Sequence, residues 1–320
     1  MQQHDSAAPP VPRAGDARHL PLPGKGTTGN SRGSPSPPAV LPPILCYHKV
    51  ERRHELGVTR ISPRRFARQI ERLAAFGWRT LTLAELSACV RGERRAGARE
   101  LAITFDDAYR GLRDHAFPVL EAHGFSAICF VITEYAGRLN RWDIAYGGRR
   151  FAHLAWRDMR KWQSRGIDFA SHTATHPRLT WVDDDRLARE LSSSRDSLEA
   201  ALDLHPTAVS YPFGACAQRE RDRAALEGYD VAFTLARRWR GDAMLTPRTP
   251  VYMWAPPLPA VGLLAPVERA AGAIANRCAV GTTLMMGKGE KTRKAESSKQ
   301  RAVTARRQET ANRKQETGNR

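Results

Sequence analysis

A chain of 320 residues can hold one large α/β domain or two small ones. Its 51 Lys and Arg against 33 Asp and Glu give a formal charge of +18, which invites a nucleic acid or an anionic surface as partner. Divided along the chain, that signal weakens. Residues 288–320 hold eleven Lys/Arg and four Glu (+7), residues 1–40 hold four and two (+2), and the remaining +9 is spread over the body. The basic tail carries no aromatic residue for base stacking and no base-reading module, so no specific nucleic-acid partner is expected.

The first 40 residues are rich in Pro, Gly and Ser and are expected to be disordered. The body follows as residues 41–260, then 261–287 as a linker or partial helix, and 288–320 as a basic low-complexity tail. The five cysteines are scattered, form no C-x-x-C pair and are odd in number, which argues against a paired secreted framework. No apolar run reaches membrane-spanning length, and the N-terminus lacks the apolar stretch of a signal peptide. As written, the chain reads as cytoplasmic. A different true N-terminus would make it periplasmic or extracellular.

In chain order, Ile44–Tyr47 is a short strand with His48 just past its end. Pro63, with Phe66, Ile70, Leu73 and Phe76 at helical spacing, predicts a helix stopped by Gly77. Another begins at Leu83–Leu86, and Glu93–Arg99 is loop. Leu101–Phe105 is a strand ending in Asp106 and Asp107, and Leu112–His123 is a helix ended by Gly124. Ser126–Ile132 has the near-continuous apolar character of an interior strand. Trp156–Trp162 is an amphipathic helix, Ile167–Ala170 a strand delivering His172, and Asp183–Ala201 a long helix. Ala208–Tyr211 is a strand running into Pro212-Phe213-Gly214. A helix over 217–226, a strand over 229–234 and a last strand near 250–254 complete the series. Strand and helix alternate, with polar residues just after strand ends. This pattern fits a parallel β/α barrel or an open α/β sheet, with the site at the carboxyl edge. Periodicity does not separate the two.

The chemistry concentrates in two motifs. Thr104-Phe105-Asp106-Asp107 closes one strand, and His172-Thr173-Ala174-Thr175-His176 follows 65 residues after Asp107. One Asp and two His can hold a zinc-like ion and leave positions open for water and substrate, while the second Asp takes a proton. Adjacent carboxylates diverge on an extended strand, and a turn beginning there could let one bind metal while the other faces the water. The alternative is a helix-capping pair, with surface or capping histidines downstream. Asp168 or Asp183 could accept from a ligand's second ring nitrogen. Tyr211-Pro212-Phe213-Gly214 could turn backbone N–H groups toward an oxyanion or simply punctuate a strand end. His48 could be a general acid or a structural histidine. Trp142 could stack on a sugar or pack inside. His54, His115, His123, His153 and His205 have no comparable company.

Together these pieces resemble the polysaccharide deacetylase (NodB-homology) family, carbohydrate esterases of the family 4 type, over about residues 43–254. Thr104–Asp107 is similar to the family's first motif, with Ala108 where glycine usually follows. His172–His176 matches the second motif in full. The resemblance implies Asp106 as general base, Asp107, His172 and His176 as metal ligands, and the Phe213 N–H as oxyanion donor. Tyr211 and Trp142 are candidate substrate contacts. The arginine that precedes the third motif in chitin-oligosaccharide and peptidoglycan deacetylases is replaced by Val209-Ser210. That departure and the opening Cys46-Tyr47-His48-Lys49-Val50 are similar to the subgroup acting on poly-N-acetylglucosamine and related exopolysaccharides. There the acid is proposed to come from a histidine after the first strand, which points to His48. The implied fold is a distorted (β/α)7 barrel of the NodB type. The implied function is metal-dependent removal of N-acetyl groups from an N-acetylhexosamine-containing glycan, with Zn2+ as cofactor and Co2+ or Ni2+ as substitutes. O-acetyl ester hydrolysis and a catalytically silent carbohydrate-binding role are the alternatives. An acetylated polysaccharide or oligosaccharide is the expected partner, and oligomeric state is open.

Overall fold

A computed structural model describes residues 41–53, 59–140, 150–235 and 239–252. The strand candidate Ile44–Tyr47 (β1) forms as read, and two-residue strands Lys49–Val50 (β2) and Arg60–Ile61 (β3) pair beside it. Helix α1, Pro63–Ala75, begins where Ser62 accepts from the Arg65 N–H and proline takes the first helical position. Phe66, Ile70 and Leu73 lie on its buried face, each contributing about 1.5–3 kcal/mol of apolar transfer. Gly77 ends it at φ +70°, a conformation that costs glycine little.

After β4 (Arg79–Thr80) and α2 (Leu83–Val90) comes β5, Glu100–Phe105. The single helix expected over 112–123 is two, α3 (Gly111–His115) and α4 (Phe117–Ala122). Pro118 has no N–H to give to the carbonyl four residues back, and the chain breaks at Ala116. Then follow β6 (Ala127–Val131), α5 (Trp156–Gln163), β7 (Ile167–Ser171), α6 (Asp184–Leu202), β8 (Ala208–Ser210), α7 (Gln218–Leu226) and β9 (Val231–Thr234). The last strand expected near 250–254 lies earlier and is split into β10, Thr246–Pro247, and β11, Thr249–Pro250.

All of the main pairings are parallel, in the order β10-β9-β8-β7-β6-β5-β1-β11. The two edge strands of that series are separated in sequence by one residue, Arg248. The segment 246–250 therefore bridges the sheet's two edges, and the sheet curls into a nearly closed (β/α) barrel of the NodB type.

Strand alternation sorts the core. Leu101, Ile103 and Phe105 of β5 join Phe66, Ile70, Leu112 and Phe117 beneath the helices. Ala102 instead shares a cluster with Ile128, Phe130, Ala170, Ala208, Val231 and Phe233 from four other strands of the sheet, which is the barrel lumen. Thr104 and Asp106 continue the parity of Ala102, so Asp106 is directed inward by the strand that carries it.

Candidate active site

Asp106 leaves β5 buried, at 3% exposure, and meets a partner from the opposite end of the sheet. Arg248 at the seam donates from both terminal nitrogens to both carboxylate oxygens, each at 2.7 Å. Its guanidinium also donates to Ser210 Oγ (2.7 Å) and Thr104 Oγ1 (3.1 Å) and lies over the rings of Phe130 and Phe233. Burial alone would raise the Asp106 carboxyl. Arg248, then His172, hold it well below the usual carboxylate range.

Asp107 does not diverge to the outer face as an extended strand would require. It and Ala108 are left-handed, with φ of 71° and 52°, and the turn swings the second carboxylate back toward the histidines. A short antiparallel clamp secures this strained turn. Leu154 N–H donates to the Ala108 carbonyl (2.8 Å) and Arg110 N–H to the Ala152 carbonyl (2.7 Å). Between them, His153 Nδ1 lies 2.5 Å from the Asp107 carbonyl, with the ring stacked on Tyr109. Sequence reasoning set His153 aside, because its role depends on a partner 46 residues earlier.

His172 follows β7, and its Nδ1 donates to the Ser210 carbonyl at 2.7 Å, which aims Nε2 at Asp107. Asp107 Oδ1 is 3.5 Å from His172 Nε2 and 3.6 Å from His176 Nε2. The five-residue histidine motif is an irregular loop rather than a helical turn, with Thr173 and His176 both at positive φ. Glu190 of α6 holds it, accepting from Thr175 N–H (2.8 Å) and Thr175 Oγ1 (2.5 Å). Neither Asp168 nor Asp183 orients the histidines. Asp168 accepts from the Leu83 N–H at the start of α2, and Asp183 caps α6.

Donor atoms of Asp107, His172 and His176 lie within 4.8 Å of one another, all three residues buried. Asp107 Oδ1 is buried without a hydrogen bond, and such an orphan oxygen beside two imidazoles suits a divalent cation with nitrogen and oxygen ligands. Burial would raise the Asp107 carboxyl, but the two histidines bring it down to about 2. Burial and the neighbouring His172 push His176 down to about 3, keeping that ring neutral. Burial also works against charge on His172, yet Asp106 and Asp107 raise it above its ordinary value.

His48 lies on the other side of Asp106, its ring in a group with Cys46 and Asp106 whose donor atoms fall within 4.8 Å of one another. Burial lowers it, opposed by Asp107 and Asp106. Phe213, at φ 61°, sets its ring 4.8 Å from that of His176, so the third motif abuts the histidine loop. Gly214 is obligatory there: a Cβ would sit 2.6 Å from Leu235 N. Tyr211, considered as a substrate contact, has a fully buried ring packed among Leu187, Leu191 and Ala224 between α6, α7 and the sheet. Strand alternation turns it away from the lumen that Ser210 faces, and it offers no surface to a sugar. Trp142 lies outside the described residues. Arg248 was invisible to motif reading because it stands 38 residues after Ser210, where an arginine had been sought locally. Its only local signal is an extended Thr246-Pro-Arg-Thr-Pro250 segment, too stiff to be helix.

The chain resembles known proteins in sequence and in fold. Residues 93–232 match the model of a family described as polysaccharide deacetylase. The Bacillus subtilis (strain 168) protein YxkH, itself named as a polysaccharide deacetylase, is 27% identical over 197 residues, 62% of this chain. The chain spans 65% of that relative's length. Among solved structures, the Streptococcus pyogenes deacetylase PplD superposes with a TM-score of 0.61 at 22% identity, covering 68% of this chain and 96% of PplD. IcaB of Ammonifex degensii superposes with a TM-score of 0.56 at 25% identity, covering 65% and 91%.

Proposed function

We propose, from the match of residues 93–232 to the polysaccharide deacetylase family model, that the chain is a metal-dependent hydrolase that removes N-acetyl groups from an N-acetylhexosamine-containing glycan. The observation that carries this reading is the convergence of Asp107, His172 and His176 donor atoms beside a separate, arginine-held Asp106. Asp107, His172 and His176 would hold the cation, with Zn2+ preferred and Co2+ or Ni2+ compatible with the same nitrogen and oxygen donors. When bound there, the cation supplies Lewis acidity toward the acetamide carbonyl and the attacking water.

The chain's own groups do the rest. Asp106 is ionised at neutral pH and accepts the proton of the attacking water as the new carbon–oxygen bond forms. Arg248 keeps that carboxylate charged and oriented. The Phe213 N–H donates to the oxyanion that develops on the carbonyl oxygen. His48 gives a proton to the departing nitrogen as the carbon–nitrogen bond breaks, and the products are acetate and a free amino sugar.

The test measures bound metal and acetate release together, on purified protein with N-acetylglucosamine oligomers. One equivalent of metal is expected, with release abolished by Asp106→Asn and by His172→Ala. Release of acetate from O-acetylated glycan alone would convert the assignment to an esterase. Absence of both metal binding and release after zinc, cobalt or nickel addition would sink the hydrolase.

A further inference from the structure

A cavity of about 280 Å³ is lined in part by Lys49, which follows His48 directly, and by Tyr109, two residues beyond Asp107. It is smaller than the ~300–1,000 Å³ of a site for a drug-sized ligand, so it fits one sugar unit rather than several. Among the described residues its charged lining is Lys49, Arg53, Arg110 and Arg150 against Glu51 and Asp114, four cations to two carboxylates. Both carboxylates are already engaged. Glu51 accepts from the backbone N–H groups of Arg52 (2.9 Å) and Arg53 (3.4 Å), and Asp114 accepts from Arg113 Nε (2.8 Å). The guanidinium groups of Arg53, Arg110 and Arg150 make no hydrogen bond or ion pair with any described residue. Lys49 is buried to 4% exposure, its Nζ 4.7 Å from the Tyr109 ring centroid and 4.9 Å from that of Phe151. Exposed arginine forks on a concave wall match a planar carboxylate bidentately.

We propose that this cavity binds a carboxylate-bearing sugar residue, so that the glycan accepted is an anionic heteropolymer rather than a neutral homopolymer. The inference rests on the deacetylase reading for the identity of the ligand as a glycan. Because Lys49 and Tyr109 lie next to the His48 and Asp107 segments, the proposed occupant is a sugar near the acetylated unit of the same glycan.

Two tetrasaccharides decide the question by titration calorimetry on the full chain at low and high salt. One alternates N-acetylglucosamine with glucuronate, and the other is the neutral N-acetylglucosamine tetramer. The anionic probe is expected to bind about tenfold more tightly at low salt, with the preference shrinking as salt rises. The double variant Arg110→Ala/Arg150→Ala, both exposed positions, is expected to lose that preference while keeping its melting temperature and its affinity for the neutral probe. Equal affinities, no binding of the anionic probe, or a preference surviving in the double variant would overturn the inference. Acetate release from both tetrasaccharides is followed in parallel. Release without charge preference refutes the anionic subsite alone, whereas charge-dependent binding without release from either probe refutes the deacetylase reading and leaves the anion site standing.

Discussion

Arg248 carries a positive charge with none of its side chain exposed, 2.7 Å from both oxygens of a nearly buried carboxylate. Removing one member of such a pair leaves the other charge desolvated and unpaired, which costs about 3–5 kcal/mol. Because Asp106 is depressed in the folded protein, its contribution is fully present above the unfolded carboxylate value of about 3.9 and is lost only as pH falls below it. With Arg248→Leu the balance reverses. Burial then dominates, Asp106 rises above its ordinary value, and the proposed base is protonated in mildly acidic solution. The acid limb of the acetate-release profile should therefore move to higher pH, and urea stability should fall at neutral pH. Arg248→Lys, which keeps charge but not the paired hydrogen bonds, should lie between. An acid limb unmoved in Arg248→Leu would contradict the positioning role of Arg248. None of this was legible beforehand. The Asp106–Asp107 and His172–His176 motifs are contiguous in sequence, whereas the Asp106–Arg248 pair spans 142 residues and exists only once the sheet has curled.

At the scale of elements, the histidine loop depends on a helix that contributes no ligand. Glu190 of α6 is buried and takes both the N–H and the hydroxyl of Thr175, while its carbonyl accepts from Ala174 N–H at 3.1 Å. Glu190→Ala removes both side-chain bonds and frees a loop whose two positive-φ residues need support. Supporting groups of this kind typically matter by about 10–100-fold in metal affinity. Zinc titration against a competing chelator dye should show a loss of that order for Glu190→Ala and a smaller one for Glu190→Gln. Unchanged affinity in Glu190→Ala would leave the glutamate a purely structural group. The elements themselves were largely legible, since apolar spacing reports what one segment does alone: α1, α5, β5 and β7 lie where their periodicities put them. The failures had two causes, one local and one between segments. Pro118 splits α3 from α4 by a local rule that the periodic pattern masks, and Tyr211 faces the helices because β8 must direct Ser210 inward.

For the whole molecule, closure of the barrel and completion of the site are the same event. The sheet's edges are joined through 246–250, and the residue at that seam reaches the base on β5, while the ligands come from β5 and β7. Periodicity could not choose between a barrel and an open sheet, because closure is a relation between the first and last strands. A ligand that binds only the assembled site should therefore stabilise the entire described barrel. Asp107 Oδ1, buried without a hydrogen bond, costs about 1–3 kcal/mol that a cation would relieve. At a metal concentration one hundred times its dissociation constant, binding to the folded state alone adds about 2.7 kcal/mol. For a domain of this size, that corresponds to a rise in Tm of roughly 5–10 °C. Chelated protein titrated with zinc should show this rise in a thermal melt, and His172→Ala and Asp107→Asn should abolish it. Asp106→Asn should retain most of it, since that carboxylate is held by Arg248 rather than assigned to the metal. A shift lost in Asp106→Asn but kept in Asp107→Asn would exchange the roles of the two carboxylates.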